Sequence, residues 1–126
     1  MTEDRDRENA LDYAQVRAYW EDAAGDAGSA SYMAHEQGLP QTCIEHRFAL
    51  EQAVLDRWFA QLTPAASVLD IGCGAGAWTE YFAGRYRRVV GIDASNGMVA
   101  AARRRLAGRV GVEVLHGDAL TVPIGG

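Results

Sequence analysis

Three carboxylates in this chain stand where side chains commonly meet a small ligand. Asp70 lies within the apolar run Val68-Leu69-Asp70-Ile71, Asp93 closes Val89-Val90-Gly91-Ile92, and Asp118 follows Val112-Glu113-Val114-Leu115-His116 and Gly117. Directly after the first run comes Gly72-Cys73-Gly74-Ala75-Gly76. Glycine at 72, 74 and 76 allows positive φ and lets a ligand lie against the backbone. A carboxylate at the end of a parallel strand can accept hydrogen bonds from both hydroxyls of a ribose. The combination is suited to holding a nucleotide cofactor.

Alternating strands and helices must carry these groups. Ser67–Ile71 reads as a short buried strand, and the helix after the glycine loop runs from Ala77 to Arg85. Arg88–Ile92 is a second strand ending at Asp93. Ser95 or Asn96 caps a helix that continues through Leu106, and Gly108 or Gly111 marks its exit. Val112–His116 is a third strand. The β-α-β-α-β order implies right-handed crossovers and a parallel sheet, with the strand ends and the glycine loop facing one crevice. The first helix also starts at that crevice, so its free N–H groups add to a nucleotide cradle.

Which nucleotide follows from charge. Gly72 to Ala77 also satisfies the dinucleotide pattern G-x-G-x-x-G/A. Asp70, however, would repel a pyrophosphate and attract a cationic amino group and sulfonium. The pattern Asp-x-Gly-x-Gly-x-Gly therefore favours S-adenosylmethionine over NAD. Over roughly Ser67 to Leu120 the chain resembles the class I S-adenosylmethionine-dependent methyltransferases. The resemblance implies a Rossmann-like α/β fold. It implies cofactor contacts along Asp70, Gly72, Cys73, Gly74 and Gly76, ribose recognition by Asp93 with Ala94 beside the adenine, and adenine recognition at Asp118 and Ala119. A plain turn role is the alternative for Asp93 and Asp118.

The first part of the chain reads differently. Residues 1–9 are mostly charged and are expected to form a disordered tail. From Leu11 to Ala23 the apolar spacing is helical, with Asp12, Arg17, Glu21 and Asp22 to the outside. Gly25, Gly28, Ser29 and Ser31 then make a loop, and Tyr32–Leu39 is ambiguous. Thr42-Cys43-Ile44-Glu45 fits a capping box opening a helix to about Leu62, before Pro64. Its apolar stripe is Ile44, Phe48, Leu55, Phe59 and Leu62, widened by Val54 and Trp58. Residues 10–64 are thus read as a helical lid over the crevice, and 65–126 as the first half of a Rossmann-like cofactor domain.

Several lid residues are candidates with two readings. Tyr19 contacts the methionine end of the cofactor, as the resemblance implies, or packs in the core; Trp20 is its neighbour. Arg47 clamps the cofactor carboxylate or pairs with Glu51 one turn on. His35 or Tyr32 could act as a base toward an acceptor. Trp78 and Tyr81 are read as packing, and Cys73 as a small side chain beside the cofactor rather than a reactive thiol. His35, His46 and His116 have no metal-ligand spacing, so no metal site is expected. No catalytic residue is assigned.

Composition sets the remaining bounds. The chain has 126 residues, a net charge of −5, and 48% hydrophobic residues, which suits one folded domain. The negative charge argues against nucleic acid as partner. The arginines at 85, 87, 88 and 103–105 are read as solvated helix ends. Cys43 and Cys73 form no disulfide or zinc pattern, which points to a reducing, cytoplasmic setting. No apolar run approaches the ~18–20 residues of a membrane span, so no membrane partner is expected. The reading is a methyltransferase acting on an O, N or C atom of a small molecule. The alternatives are a non-catalytic cofactor-binding or partner module and, less favoured, an NAD(P)-dependent oxidoreductase. With about three strands the sheet is expected to be incomplete, its remainder coming from a longer chain, another copy or a partner.

Overall fold

The computed structural model describes residues 12–26 and 39–125. The tail at residues 1–9, the loop residues Gly28, Ser29 and Ser31, and the candidate bases Tyr32 and His35 lie outside the described residues. In chain order the elements are helices α1 (Tyr13–Ala23) and α2 (Gln41–Phe59), strand β1 (Ser67–Ile71), helix α3 (Ala77–Ala83), strand β2 (Arg88–Asp93), helix α4 (Asn96–Arg105) and strand β3 (Val112–His116). A 3-10 turn, Ala24–Asp26, extends α1. The three strands form a parallel sheet in the order β1-β2-β3. Register sets Asp70 beside Gly91, and Asp93 beside His116. The expected α/β, Rossmann-like architecture is therefore present, and the carboxyl ends of the strands share one side.

The core lies between the sheet and α4. Val99, Ala102 and Leu106 pack with Cys73 and Val114, while Met98 and Ala101 pack with Ala75 beneath the glycine loop. Val89, Ile92 and Met98 are fully buried. Each such side chain contributes about 1.5–3 kcal/mol through burial. β2 is enclosed as the central strand, whereas β1 lies at the edge. Leu69 and Ile71 are 44% and 65% exposed, although their sequence reads as a buried strand.

The two N-terminal helices attach to different parts of this unit. Asp12 caps α1 by accepting from the amides of Ala14 (2.9 Å) and Gln15 (3.2 Å). At its other end α1 reaches α4: the Glu21 carboxylate accepts from the amides of Asn96 (2.5 Å) and Gly97 (2.9 Å). Helix α2 packs on α3 through Phe48–Trp78 and Phe59–Phe82 ring pairs at 4.4 and 5.8 Å. The Tyr81 hydroxyl donates to Asp56 and to the Gln52 carbonyl (3.4 Å), and Arg85 pairs with Asp56 at 3.6 Å while lying over the Tyr81 ring. These contacts press the α2 face that begins at Ile44 toward the strand ends.

Three local expectations need correction. The Thr42–Glu45 capping box does not form. Pro40 occupies the N-cap position with φ −57° and no side-chain cap, and Glu45 instead accepts from the Gln41 amide group at 3.0 Å. Proline's fixed φ already suits a helix start, which moves the helix entrance ahead of Thr42. The helix also ends at Phe59 rather than Leu62, and the first helix of the α/β unit ends at Ala83 rather than Arg85. Finally, Trp58 is 73% exposed, and Val54 and Leu62 are also exposed. Among the described residues the ring contacts of α2 are with α3, which cover only the narrower stripe.

Candidate functional site

The glycine loop follows β1 and folds back on β2. The amides of Gly72 and Cys73 both donate to the Ile92 carbonyl, at 2.8 and 3.0 Å. Gly72, Gly74 and Gly76 take φ of 73°, 52° and 83°, a region costly for any residue with a Cβ. Around Gly72 a Cβ would meet nothing, so this side of the loop is open to a ligand. Gly76 is closed in: a Cβ there would approach Ala102 Cβ at 3.1 Å and Leu106 Cδ1 at 3.2 Å. Gly72 thus borders the cleft, and Gly76 lets α3 approach α4.

Asp93 ties the loop to the next helix. Its Oδ2 accepts from the Gly74 amide and its Oδ1 from the Ser95 amide, each at 2.8 Å. Each oxygen keeps acceptor capacity after one bond. Asp70, across the loop, accepts from the Thr79 hydroxyl at 2.7 Å. Burial pushes the Asp70 carboxyl above the usual carboxylate range, opposed by its bonds to Thr79 and assisted by the charge of Asp93. Among the described residues no arginine pairs with either carboxylate. Two carboxylates with no arginine paired to them, Arg47 and Arg105 in the same cleft being paired with Glu51 and Glu80, favour a positively charged group.

These groups line a cleft of about 830 Å³. Asp70, Gly72, Cys73, Gly74, Asp93 and Ala94 contribute from the α/β unit, together with Met98 and Trp78. Trp20 on α1 and Ile44, Arg47, Phe48 and Glu51 on α2 supply further wall. Gly76, Asp118, Ala119 and Tyr19 stand outside this lining. Tyr19, 46% exposed, meets Trp20 edge-on at 5.0 Å, so the neighbouring ring is the one at the cleft. Asp118 accepts from the Leu120 amide at 2.8 Å, the turn arrangement that was its alternative reading. Arg47 both lines the cleft and pairs with Glu51 at 3.4 Å.

Sequence reasoning did not select Trp20, Phe48, Glu51 or Met98 for the cleft, nor Glu21 as the cap of α4. A polar residue in the first turn of an apolar helix, Thr79, was a usable signal for a contact with Asp70. The arginines at 85, 88, 105 and 109 are in ion pairs with Asp56, Glu113 and Glu80. Arg103 donates to the Val114 carbonyl at 2.9 Å. No group of three or more His, Cys, Asp or Glu among the described residues is placed to hold a metal ion.

Cys73 is buried, and burial, followed by the charges of Asp70 and Asp93, pushes its thiol up to about 12. Reactivity follows the thiolate, so this sulfur is inert at neutral pH. Iodoacetamide at pH 8 should modify the exposed Cys43 and spare Cys73. Intact mass would then show one adduct on the folded protein and two after unfolding. Two rapid additions to the folded protein would contradict the burial.

A glycine loop at the end of the first parallel strand, flanked by ionisable carboxylates, defines a nucleotide-cofactor α/β unit. Residues 68–126 match a methyltransferase domain family. The chain is 41% identical over 93 residues to demethylmenaquinone methyltransferase of Thermobifida fusca, covering 64% of this chain and 39% of that protein. It is 34% identical over 85 residues to ribosomal RNA small subunit methyltransferase A of Pelotomaculum thermopropionicum, covering 66% of this chain and 29% of that protein. The chain thus spans about a third of the length of these curated relatives. In fold it is similar to phosphoethanolamine N-methyltransferase 1 of Haemonchus contortus, with a TM-score of 0.66 at 20% identity over 88% of this chain and 22% of that one. The similarity to S-adenosylmethionine-dependent methyltransferases thus rests on residues 68–126, somewhat under half of the chain.

Proposed function

We propose that the cleft binds S-adenosylmethionine and supports methyl transfer to a small-molecule acceptor. The observation that carries this reading is the pair of carboxylates, Asp70 and Asp93, set beside an open glycine loop, while the arginines lining the cleft, Arg47 and Arg105, pair with Glu51 and Glu80 instead. Asp70 suits the cationic methionine end. Asp93, with spare acceptor capacity on both oxygens, suits the ribose. Ala94 and Trp20 offer apolar surface for the base. Gly72 leaves room at the backbone, so the residues present fit the cofactor. When bound, its sulfonium supplies an activated methyl group. The protein's task is then to bind, align and exclude water, with α1 and α2 acting as a lid.

Trp20, Phe48 and Trp78 on the cleft wall support a compact apolar acceptor, as does the similarity to an enzyme named for demethylmenaquinone. The net charge of −5 does not exclude nucleic acid, because another relative is named for ribosomal RNA. No described helix is long and apolar enough to cross a membrane. Calorimetric titration with S-adenosylhomocysteine and NAD tests the cofactor: tight binding of the first and none of the second is expected. Binding of NAD alone would overturn the reading and favour the oxidoreductase. A methyl-transfer screen with quinones, phenols, amines and RNA oligonucleotides separates acceptors. Cofactor binding without transfer to any of them would favour a binding module.

A further inference from the structure

We infer that Thr79 is a positioning residue that keeps the Asp70 carboxylate aimed at the cationic end of the cofactor; the inference rests on the cofactor reading above. Thr79 is fully buried in the first turn of α3, among the few polar side chains so enclosed. A buried hydroxyl needs a partner, and this one donates to Asp70 Oδ2 at 2.7 Å. Such a short O–H···O⁻ bond is of the stronger, charge-assisted kind.

The surroundings hold Thr79 in place. Gly91 of β2 lies directly against it, so close that a Cβ at position 91 would stand 3.1 Å from the hydroxyl oxygen. Cys73 packs on the same spot, 3.0 Å from that Cβ position. The hydroxyl therefore has one productive direction, toward Asp70. The Asp70 carboxylate in turn has Asp93 and the Cys73 thiol as ionisable neighbours, and Arg47, Glu51, Glu80 and Arg105 line the same cleft. Burial and the Asp93 charge both favour the protonated acid, while the Thr79 hydroxyl and backbone amide oppose them.

The consequence is a pH-dependence carried by one end of the ligand. Asp70 has a raised pKa, so its attraction for a ligand ammonium is present above that pKa and fades as pH falls through it. Removing the Thr79 hydroxyl raises that pKa further, and the loss then begins at a higher pH. A ligand without the amino acid moiety has nothing to lose.

Calorimetry with S-adenosylhomocysteine and with 5′-methylthioadenosine, which lacks the amino acid, tests this between pH 5 and 8. Thr79→Val, close in shape but without the hydroxyl, should weaken S-adenosylhomocysteine by about tenfold at pH 7 and move its acid-side inflection upward, as expected for loss of one hydrogen bond to a charged group. It should leave 5′-methylthioadenosine unchanged, and Thr79→Ser should restore the wild-type profile. Unchanged S-adenosylhomocysteine binding in Thr79→Val overturns the inference, and so does equal weakening of both ligands, which would mark a packing role. Asp70→Asn covers the case in which Thr79→Val does not fold. It should remove the inflection for S-adenosylhomocysteine alone, and an inflection that persists overturns the inference. Wild-type protein that binds neither ligand would instead refute the cofactor reading itself.

Discussion

Asp93→Ala should bind S-adenosylhomocysteine about tenfold to a hundredfold more weakly than the unmodified chain. Two effects combine. Hydrogen bonds from ribose hydroxyls to a carboxylate are charge-assisted and worth roughly 1.5–3 kcal/mol. The same carboxylate also holds the Gly74 and Ser95 amides at 2.8 Å, so its removal frees the glycine loop from the start of α4. Asp93→Asn separates the effects in part. Its one carbonyl oxygen can serve one of those amides, while its NH₂ group confronts the other. Calorimetry on both variants gives the result, and an unchanged dissociation constant in Asp93→Ala would remove the ribose assignment.

Gly91→Val should cost both stability and binding. Gly91 lies in the buried central strand, paired with Asp70 on one side and Val114 on the other. A Cβ at this position would stand 3.0 Å from Cys73 Sγ and 3.1 Å from both Cys73 Cβ and Thr79 Oγ1. Valine adds two methyl groups beyond that. Overpacking of this kind costs about 1–3 kcal/mol, which lowers the melting temperature by several degrees in a chain of this size. The atoms displaced are those that shape the glycine loop and hold Asp70, so S-adenosylhomocysteine affinity should fall with it. Thermal unfolding and titration of Gly91→Val and Gly91→Ala should rank valine as the more damaging. A valine variant with wild-type melting and binding would mean that Cys73 and Thr79 can move aside without consequence.

What the sequence made legible is what local chemistry decides. The strands at 67–71, 88–93 and 112–116 are runs of β-branched and leucine residues between turns, and Ser95 stands where a helix cap must be. The Ser95 hydroxyl indeed accepts from the Met98 amide at 3.1 Å. The glycine loop was legible because positive φ leaves few residue choices. Contacts between distant elements were not. Tyr19 and Trp20 are adjacent on one helix and point about 100° apart, so only the neighbour of α1 decides which ring meets the cleft. Glu21 looks like a solvent-facing helix residue until α4 is brought beneath it. Gly91 reads as an ordinary strand glycine until Cys73 and Thr79 are placed against it. Thr42 and Glu45 show the reverse case: a sound local motif was displaced because Pro40 opened the helix first.

The start of α4 has its amides taken up within the protein. The Ser95 amide is committed to Asp93, those of Asn96 and Gly97 to Glu21, and that of Met98 to the Ser95 hydroxyl. Every amide that a helix start normally offers to an anion is therefore already spent inside the protein. The acceptors are moreover two carboxylates, one from the end of β2 and one from α1. The bonds of Asn96 and Gly97 hold the Glu21 carboxyl below the usual range, Gly97 foremost, so it stays charged even in mild acid. A nucleotide bearing an extra phosphate on its ribose would meet two negative charges at this corner and find no vacant donor. A bare pair of hydroxyls meets acceptors alone. With the proposed ribose contact at Asp93, a ribose-phosphorylated adenosine is expected to bind more weakly than plain adenosine, and competition titration of the two checks it.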